Sequence, residues 1–173
     1  DAKVYIIGAV GNDSYGKTVL DSIKDFNIDK THIRTENGDT ASNRTYLTPD
    51  GDRYYKDDSW NGGVFSSFAL SASDRELLHS SDMVHTTFSG PNFNDVIDCC
   101  REKRFPLSVD FDICRDFDTI EKYLDCISLL FISGDEPTLE KAKQLSAKYP
   151  DTVFIVTLGE NGSTAFSKGT AYH

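Results

Sequence analysis

Between Ser128 and Phe166 the chain reads SLLFIS, TLEKAKQLSAKY, TVFIVTL and GENGSTAF. Two near-continuous apolar runs enclose a helical pattern, as expected of strands inside a sheet rather than on its rim. A strand–helix–strand unit of this length joins parallel strands, because a helix rather than a tight hairpin makes the return. The same alternation continues upstream: MVHTTF reads as a strand, FNDVIDCCREKR as a helix with Phe93, Val96, Ile97 and Cys100 on one face, PLSVDFD as a strand and DTIEKYLDCI as a helix. The expected architecture is α/β, a mostly parallel sheet with helices on both faces.

Before this region the character changes. KVYIIGAV reads as a buried strand, and SYGKTVLDSIKDF as a helix with Val19, Leu20, Ile23 and Phe26 at helical spacing, ended by Asn27. HIRTE, ASNRTYLT and DRYYKD are rich in β-branched and aromatic residues and are separated by the turn signals NGD and PDGD. They predict two or three antiparallel strands over residues 31–57, with too few aliphatic residues for a second core. Residues 1–30 and 58–173 are then expected to form the α/β core, and 31–57 a small β lid. Ser71 and Asp74 resemble a capping box ahead of Leu77 and Leu78.

Charge narrows the partners. Lys and Arg total 18 against 28 Asp and Glu, a net charge of −10, which repels phosphate backbones and anionic lipid. No apolar run approaches a membrane span of about 20 residues, and no charged leader precedes an apolar stretch. Cys99, Cys100, Cys114 and Cys126 form no CxxC pair and have no His at ligand spacing; reduced cysteines packed as small side chains are expected, suiting a cytoplasmic protein. The chain starts at Asp1 and ends in an apolar-polar stretch that reads as an unfinished strand, so a longer protein is expected.

Gly11–Thr18, GNDSYGKT, satisfies the P-loop pattern GxxxxGK[ST] between a strand and a helix. In that reading Lys17 reaches outer phosphates, Thr18 binds magnesium, and the strand ending at Asp110 completes the site. Against it stand the bulky Tyr15 and the negative Asp13. The alternative is a tight strand-to-helix turn in which Gly11 and Gly16 supply backbone freedom and Asp13 caps the helix.

Taken together, four blocks resemble a known family. GAVGNDSYGKTVLDSIKDFNIDKTHI resembles the VGxDxxG opening of ribokinase-like (PfkB) sugar kinases, in which this turn is not a P-loop. GDTASNRTYLTPDGDR is similar to the family's lid, SLLFISGDEPTLEKAKQL to its NxxE segment, and TVFIVTLGENGSTAF to its nucleotide-site strand and TLGxxG turn. FALS, DMVH, DFD and TLGENGS further resemble the fructoselysine-kinase branch. The resemblance implies a ribokinase-like three-layer fold, incomplete at both ends, and ATP-dependent phosphorylation of a sugar or sugar-amine with Mg2+.

It also implies roles. Thr157, Gly159, Glu160 and Gly162 would shape the nucleotide pocket, with Asp110 and Arg115 as acidic strand end and phosphate-facing cation. Glu136 would organise water around magnesium, although it equally suits the first turn of its helix, and Ser133 stands where the family has Asn. Arg44 and Tyr46, which share a strand face, and His85 with Thr87 would contact substrate. Lid sheets of this kind often pair between subunits, so a homodimer is expected. The family's sugar-binding opening and its Gly-Ala-Gly-Asp segment, whose Asp deprotonates the sugar hydroxyl, do not occur in these 173 residues. No catalytic residue is therefore expected within the chain; the base would lie beyond His173. A P-loop hydrolase using Lys17 and a non-catalytic binding fragment are the competing readings.

Overall fold

The computed structural model describes residues 2–51 and 53–173. They form two compact units, residues 1–69 and 70–173.

In the first unit the apolar opening run is two strands, β1 (Val4–Tyr5) and β2 (Gly8–Gly11), and only β2 is buried throughout. Helix α1 (Ser14–Ser22) follows. Its end comes earlier than the apolar spacing predicts, because Lys30 Nζ donates to the carbonyls of Ile23 and Lys24, both at 3.2 Å, and so satisfies the orphan acceptors there. Phe26 consequently lies outside the helix and is 65% exposed. Next come β3 (Ile28–Asp29) and β4 (Ile33–Glu36), which run parallel to β1 and β2 respectively. HIRTE was expected among antiparallel lid strands; it is instead β4, and a strand that follows a strand and a helix returns in the same direction. The remaining strands are short. β5 (Ser42–Asn43), β6 (Tyr46–Leu47), β7 (Arg53–Tyr54) and β8 (Trp60–Asn61) make two antiparallel pairs, β5 with β8 and β6 with β7.

The second unit opens with α2 (Ala72–Ser80), started by a complete capping box: Ser71 Oγ accepts from the Asp74 amide, and the Asp74 carboxylate accepts from the Ser71 amide at 2.8 Å. The order is then β9 (Val84–Thr87), α3 (Phe93–Glu102), β10 (Leu107–Asp110), α4 (Phe117–Glu121), β11 (Leu129–Ser133), α5 (Glu136–Lys148), β12 (Val153–Thr157), β13 (Ser163–Ser167) and β14 (Thr170–Tyr172). They build one six-stranded sheet in the order β14-β13-β12-β11-β10-β9. Strands β9 to β12 are parallel, and β13 and β14 add antiparallel strands at one edge. The final stretch is thus a paired strand.

Strand order in β9–β12 follows chain order in one direction, so right-handed crossovers bring α3, α4 and α5 to the same face. Side chains in register share a face. Leu107, Val109, Leu130, Ile132, Phe154 and Val156 form the buried row, each no more than 1% exposed. Phe93, Val96, Ile97 and Cys100 of α3, and Ala142 and Leu145 of α5, are buried too. The other face carries Leu129, Phe131, Val153 and Ile155, all half-buried. Both apolar runs therefore alternate in burial, although their sequences show no alternation.

Candidate functional site

In a parallel sheet every strand delivers its carboxyl end to the same edge, where loops are free to diverge and take up ligand. β11 ends at Ser133 and β12 at Thr157, neighbours in register. The Thr157 hydroxyl donates to Ser133 Oγ at 3.2 Å, and the Gly134 amide to the Thr157 carbonyl at 2.9 Å. A Cβ on Gly134 would stand 2.6 Å from Thr138 Cγ2 and 2.7 Å from Val156 Cγ1, so this position admits only glycine without a shift. Thr138 is 1% exposed.

Asp135 then caps α5. Its carboxylate accepts from the Thr138 amide at 3.1 Å and the Thr138 hydroxyl at 2.7 Å. Those two bonds, with the Arg115 charge as a further contribution, hold the Asp135 carboxyl below its ordinary range. Because Asp135 takes the cap, the next carboxylate, Glu136, sits exposed in the first turn. Asp135 and Gly134 were missed in reading the sequence. Their signal was there, in Asp–x–x–Thr directly after a strand and in a lone Gly between strand and cap.

After β12 the chain turns at Gly159 (φ 60°) and Gly162 (φ 82°), left-handed conformations that favour glycine. A single 3-10 turn over Gly159–Asn161 lies between, and the Leu158 amide closes it onto the Gly162 carbonyl at 2.8 Å. Nothing lies within 4 Å of a Cβ built on either glycine, so the turn's backbone is open to approach. Glu160 is exposed on it.

Asp110 ends β10, with its carboxylate turned back to accept from the Asp112 amide at 2.8 Å. Arg115 is exposed in the following loop, and its Nη1 donates to the Cys114 carbonyl at 3.3 Å. Thr157, Gly159, Glu160, Gly162 and Glu136 are thus gathered at the ends of β11 and β12, with Asp110 and Arg115 on the adjacent strand end. His85 is differently placed: it lies one residue into β9, and its Nδ1 is 3.0 Å from Ser108 Oγ, with its ring edge-on to Phe131. Thr87 ends β9 and is exposed. Arg44 and Tyr46 belong to the first unit.

The glycine turn at Gly11–Thr18 satisfies itself. The Asp13 carboxylate accepts from the Gly16 amide at 2.8 Å, the Thr40 amide at 3.0 Å and the Thr40 hydroxyl at 2.6 Å. Thr40 Oγ1 in turn accepts from the Gly11 amide at 2.9 Å. A Cβ on Gly11 would stand 2.1 Å from the Gly38 carbonyl, so the crossing segment occupies the space a phosphate would need. Lys17 pairs with Asp21 on the exposed side of α1, and the Thr18 hydroxyl donates to the Ser14 carbonyl. The P-loop reading is corrected here: this turn's own carboxylate fills the anion position.

Among the described residues no group of three or more His, Cys, Asp or Glu is placed to hold a metal ion. A cavity of about 460 Å³ lies at the opposite edge, before β10, β11 and β12, lined by Arg104, Leu124, Cys126, Lys148 and Thr152 among others. All four cysteines are free, with Cys99, Cys100 and Cys126 buried. Burial pushes the Cys126 thiol up to about 12, leaving it unreactive near neutral pH. No helix among the described residues is long and apolar enough to cross a membrane.

Residues 2–173 match the model for pfkB family carbohydrate kinase. Fructoselysine 6-kinase of Escherichia coli (strain K12) is 32% identical over 160 residues, 91% of this chain and 59% of that protein. Fructosamine kinase FrlD of Bacillus subtilis (strain 168) is 24% identical over 172 residues, 96% of this chain and 60% of that protein. The chain therefore spans about three-fifths of these relatives. Among solved structures, Arabidopsis thaliana ribokinase complexed with ribose and ATP superposes with a TM-score of 0.75 at 19% identity, covering 99% of this chain and 60% of that one. Thermotoga maritima ribokinase gives 0.71 at 17%, covering 98% and 58%. The fold is ribokinase-like.

Proposed function

Because the chain belongs to the pfkB family of carbohydrate kinases, we propose that it serves ATP-dependent phosphorylation of a hydroxyl on a sugar or sugar-amine such as fructoselysine. The observation that carries the reading is 32% identity to a fructoselysine 6-kinase across 91% of the chain.

Bound ATP would supply the phosphoryl group and Mg2+ would neutralise its charge. The open turn between Gly159 and Gly162, with Thr157 and Glu160, lets backbone approach the nucleotide, and the Arg115 guanidinium faces its phosphates beside Asp110. Magnesium is ordinarily held by one or two carboxylates together with waters and substrate phosphates. A single exposed carboxylate at Glu136, without a ligand cluster, fits that mode, and Glu136 orients the water shell. Arg44, Tyr46 and His85 are substrate contacts. No residue here is assigned the deprotonation of the sugar hydroxyl, since no Gly-Ala-Gly-Asp segment occurs in the 173 residues. In this reading they bind and orient, and by themselves transfer nothing. The part of residues 31–57 that follows β4 acts as the lid, whose short strands leave edges that a second copy would cover in a homodimer. Four free thiols suit a reducing cytoplasm.

Titration with Mg-ATP tests the nucleotide site. Gly162→Val is expected to weaken binding by about tenfold or more, since a β-branched residue resists φ of 82°, while Lys17→Ala leaves affinity unchanged. Undiminished affinity in Gly162→Val, or a loss in Lys17→Ala, would overturn the assignment.

A further inference from the structure

The carboxyl end of β10 departs from the regular parallel ladder. The Phe111 amide donates to the Phe131 carbonyl at 2.8 Å, as the register requires. The ladder would next bring the Ser133 amide to the Phe111 carbonyl. That amide goes instead to the Asp112 carbonyl at 2.7 Å, and the Phe111 carbonyl accepts from the Cys114 amide at 2.9 Å. Two residues thus stand opposite one, a bulge that re-aims the chain where pairing stops. Phe111 is pinned, 2% exposed and stacked on Phe88 with centroids 5.0 Å apart. Asp112 is exposed and left-handed, with φ 51°. Among the described residues Lys168 is the one other non-glycine with positive φ.

Both sides of the bulge are braced. Before it, Asp110 Oδ1 accepts from the Asp112 amide at 2.8 Å. After it, the Phe117 amide donates to the Arg115 carbonyl at 3.0 Å. The Asp116 carboxylate accepts from the Thr119 amide at 3.1 Å and the Thr119 hydroxyl at 2.6 Å. The backbone of Arg115 is therefore held between a closed turn and a helix cap, while its side chain is exposed. Where the guanidinium can reach depends on how that backbone is aimed. The Ser133 bond carries the same control to β11, whose next residues are Gly134, Asp135 and Glu136.

We propose that Asp112 is a positioning residue of the nucleotide site. Its left-handed backbone makes the bulge that aims Arg115 at the phosphates, and its carbonyl ties that loop to the end of β11. This deepens the nucleotide reading above and rests on it. Aspartate enters the left-handed region more readily than most residues, glycine more readily still, and β-branched residues least. The role therefore belongs to the backbone conformation rather than to the carboxylate charge, and substitutions should rank by their tolerance of positive φ.

A double-mutant cycle read by Mg-ATP titration decides it. Asp112→Val is expected to weaken binding by about tenfold, the scale of one charge-assisted contact. Asp112→Gly should recover most of that loss, although it too lacks the carboxylate. Arg115→Ala should weaken binding comparably. Adding Asp112→Val to it should cost no more than about twofold further, because both changes remove the same contact. Asp112→Val and Arg115→Ala should each flatten the dependence of affinity on salt. Asp112→Ala, a milder form of the same strain, takes the place of Asp112→Val if thermal unfolding shows the latter to be unfolded. Independent losses in the double variant, equal losses in the glycine and valine variants, or undiminished affinity in Asp112→Val overturns the positioning role and leaves the nucleotide reading standing. Absence of Mg-ATP binding by the unaltered protein sinks that reading and this proposal with it.

Discussion

At the scale of single residues, the junction of Gly11, Asp13, Gly16 and Thr40 shows how one side chain settles a motif. The Asp13 carboxyl is held down to about 2, first by the Thr40 hydroxyl and then by the Thr40 and Gly16 amides. Its ordinary value is 3.8, so the folded state binds this proton less readily than the unfolded chain. The stabilisation is present above the ordinary value and fades as pH falls towards about 2. Asp13→Asn should therefore flatten the acid limb between those values, read as the urea midpoint against pH; an unaltered limb would show that the carboxylate does not act there. Thr40, 5% exposed, bridges Asp13 and the Gly11 amide. Thr40→Val should cost about 1–3 kcal/mol, because it leaves the buried Gly11 amide without an acceptor. Gly11→Ala forces a Cβ against the Gly38 carbonyl, an overpacking that costs about 1–3 kcal/mol or more. Thermal unfolding of the two variants measures both.

At the scale of elements, caps placed the helices more reliably than periodicity did. Ser71 with Asp74 set the start of α2 as the sequence predicted, and Asp74 is 2% exposed. Ser71→Ala removes one member of the box and should lower stability by about 1 kcal/mol in urea unfolding. By contrast α1 and α4 are shorter than their apolar patterns suggest. Lys30, which lies beyond the helical pattern, bonds the carbonyls at the end of α1. In α4, Asp116 accepts from the Thr119 amide and hydroxyl, and after five residues the chain turns. Spacing reports where apolar residues could align on a helix; the partners of the last carbonyls decide where the helix stops.

At the scale of the whole molecule, the six-stranded sheet is the stable framework. Leu130 is fully buried in its central row, and Leu130→Ala should cost about 2–5 kcal/mol through lost burial and the cavity left behind. Native-state hydrogen exchange should show the slowest amides at Leu130, Ile132, Phe154 and Val156, and early exchange across residues 42–61, where strands are two residues long and the pairs two-stranded. Comparable protection in both regions would contradict this ranking. The site lies where the framework ends, so its glycines and caps draw their geometry from the strands below.

Local chemistry alone carried a good deal. Turn signals, the Ser71 capping box, the strand–helix alternation and the TLGENG turn are written in short segments, and each appears where short-range forces put it. The family resemblance was legible because its four blocks keep their order over the length of the chain. Other features needed partners distant in sequence. Asp13 meets Thr40 across 27 positions, and no local spacing reveals that this bond, rather than a phosphate, occupies the glycine turn. HIRTE reads as any lid strand until its parallel pairing with β2 is known. SLLFIS and TVFIVTL look uniformly apolar, yet one face of each is buried and the other half-buried, because crossover handedness brings α3, α4 and α5 to a single side. Residue type determines what a segment can form. Which neighbour it meets is decided only when the chain is folded, since that choice depends on contacts between residues far apart in sequence.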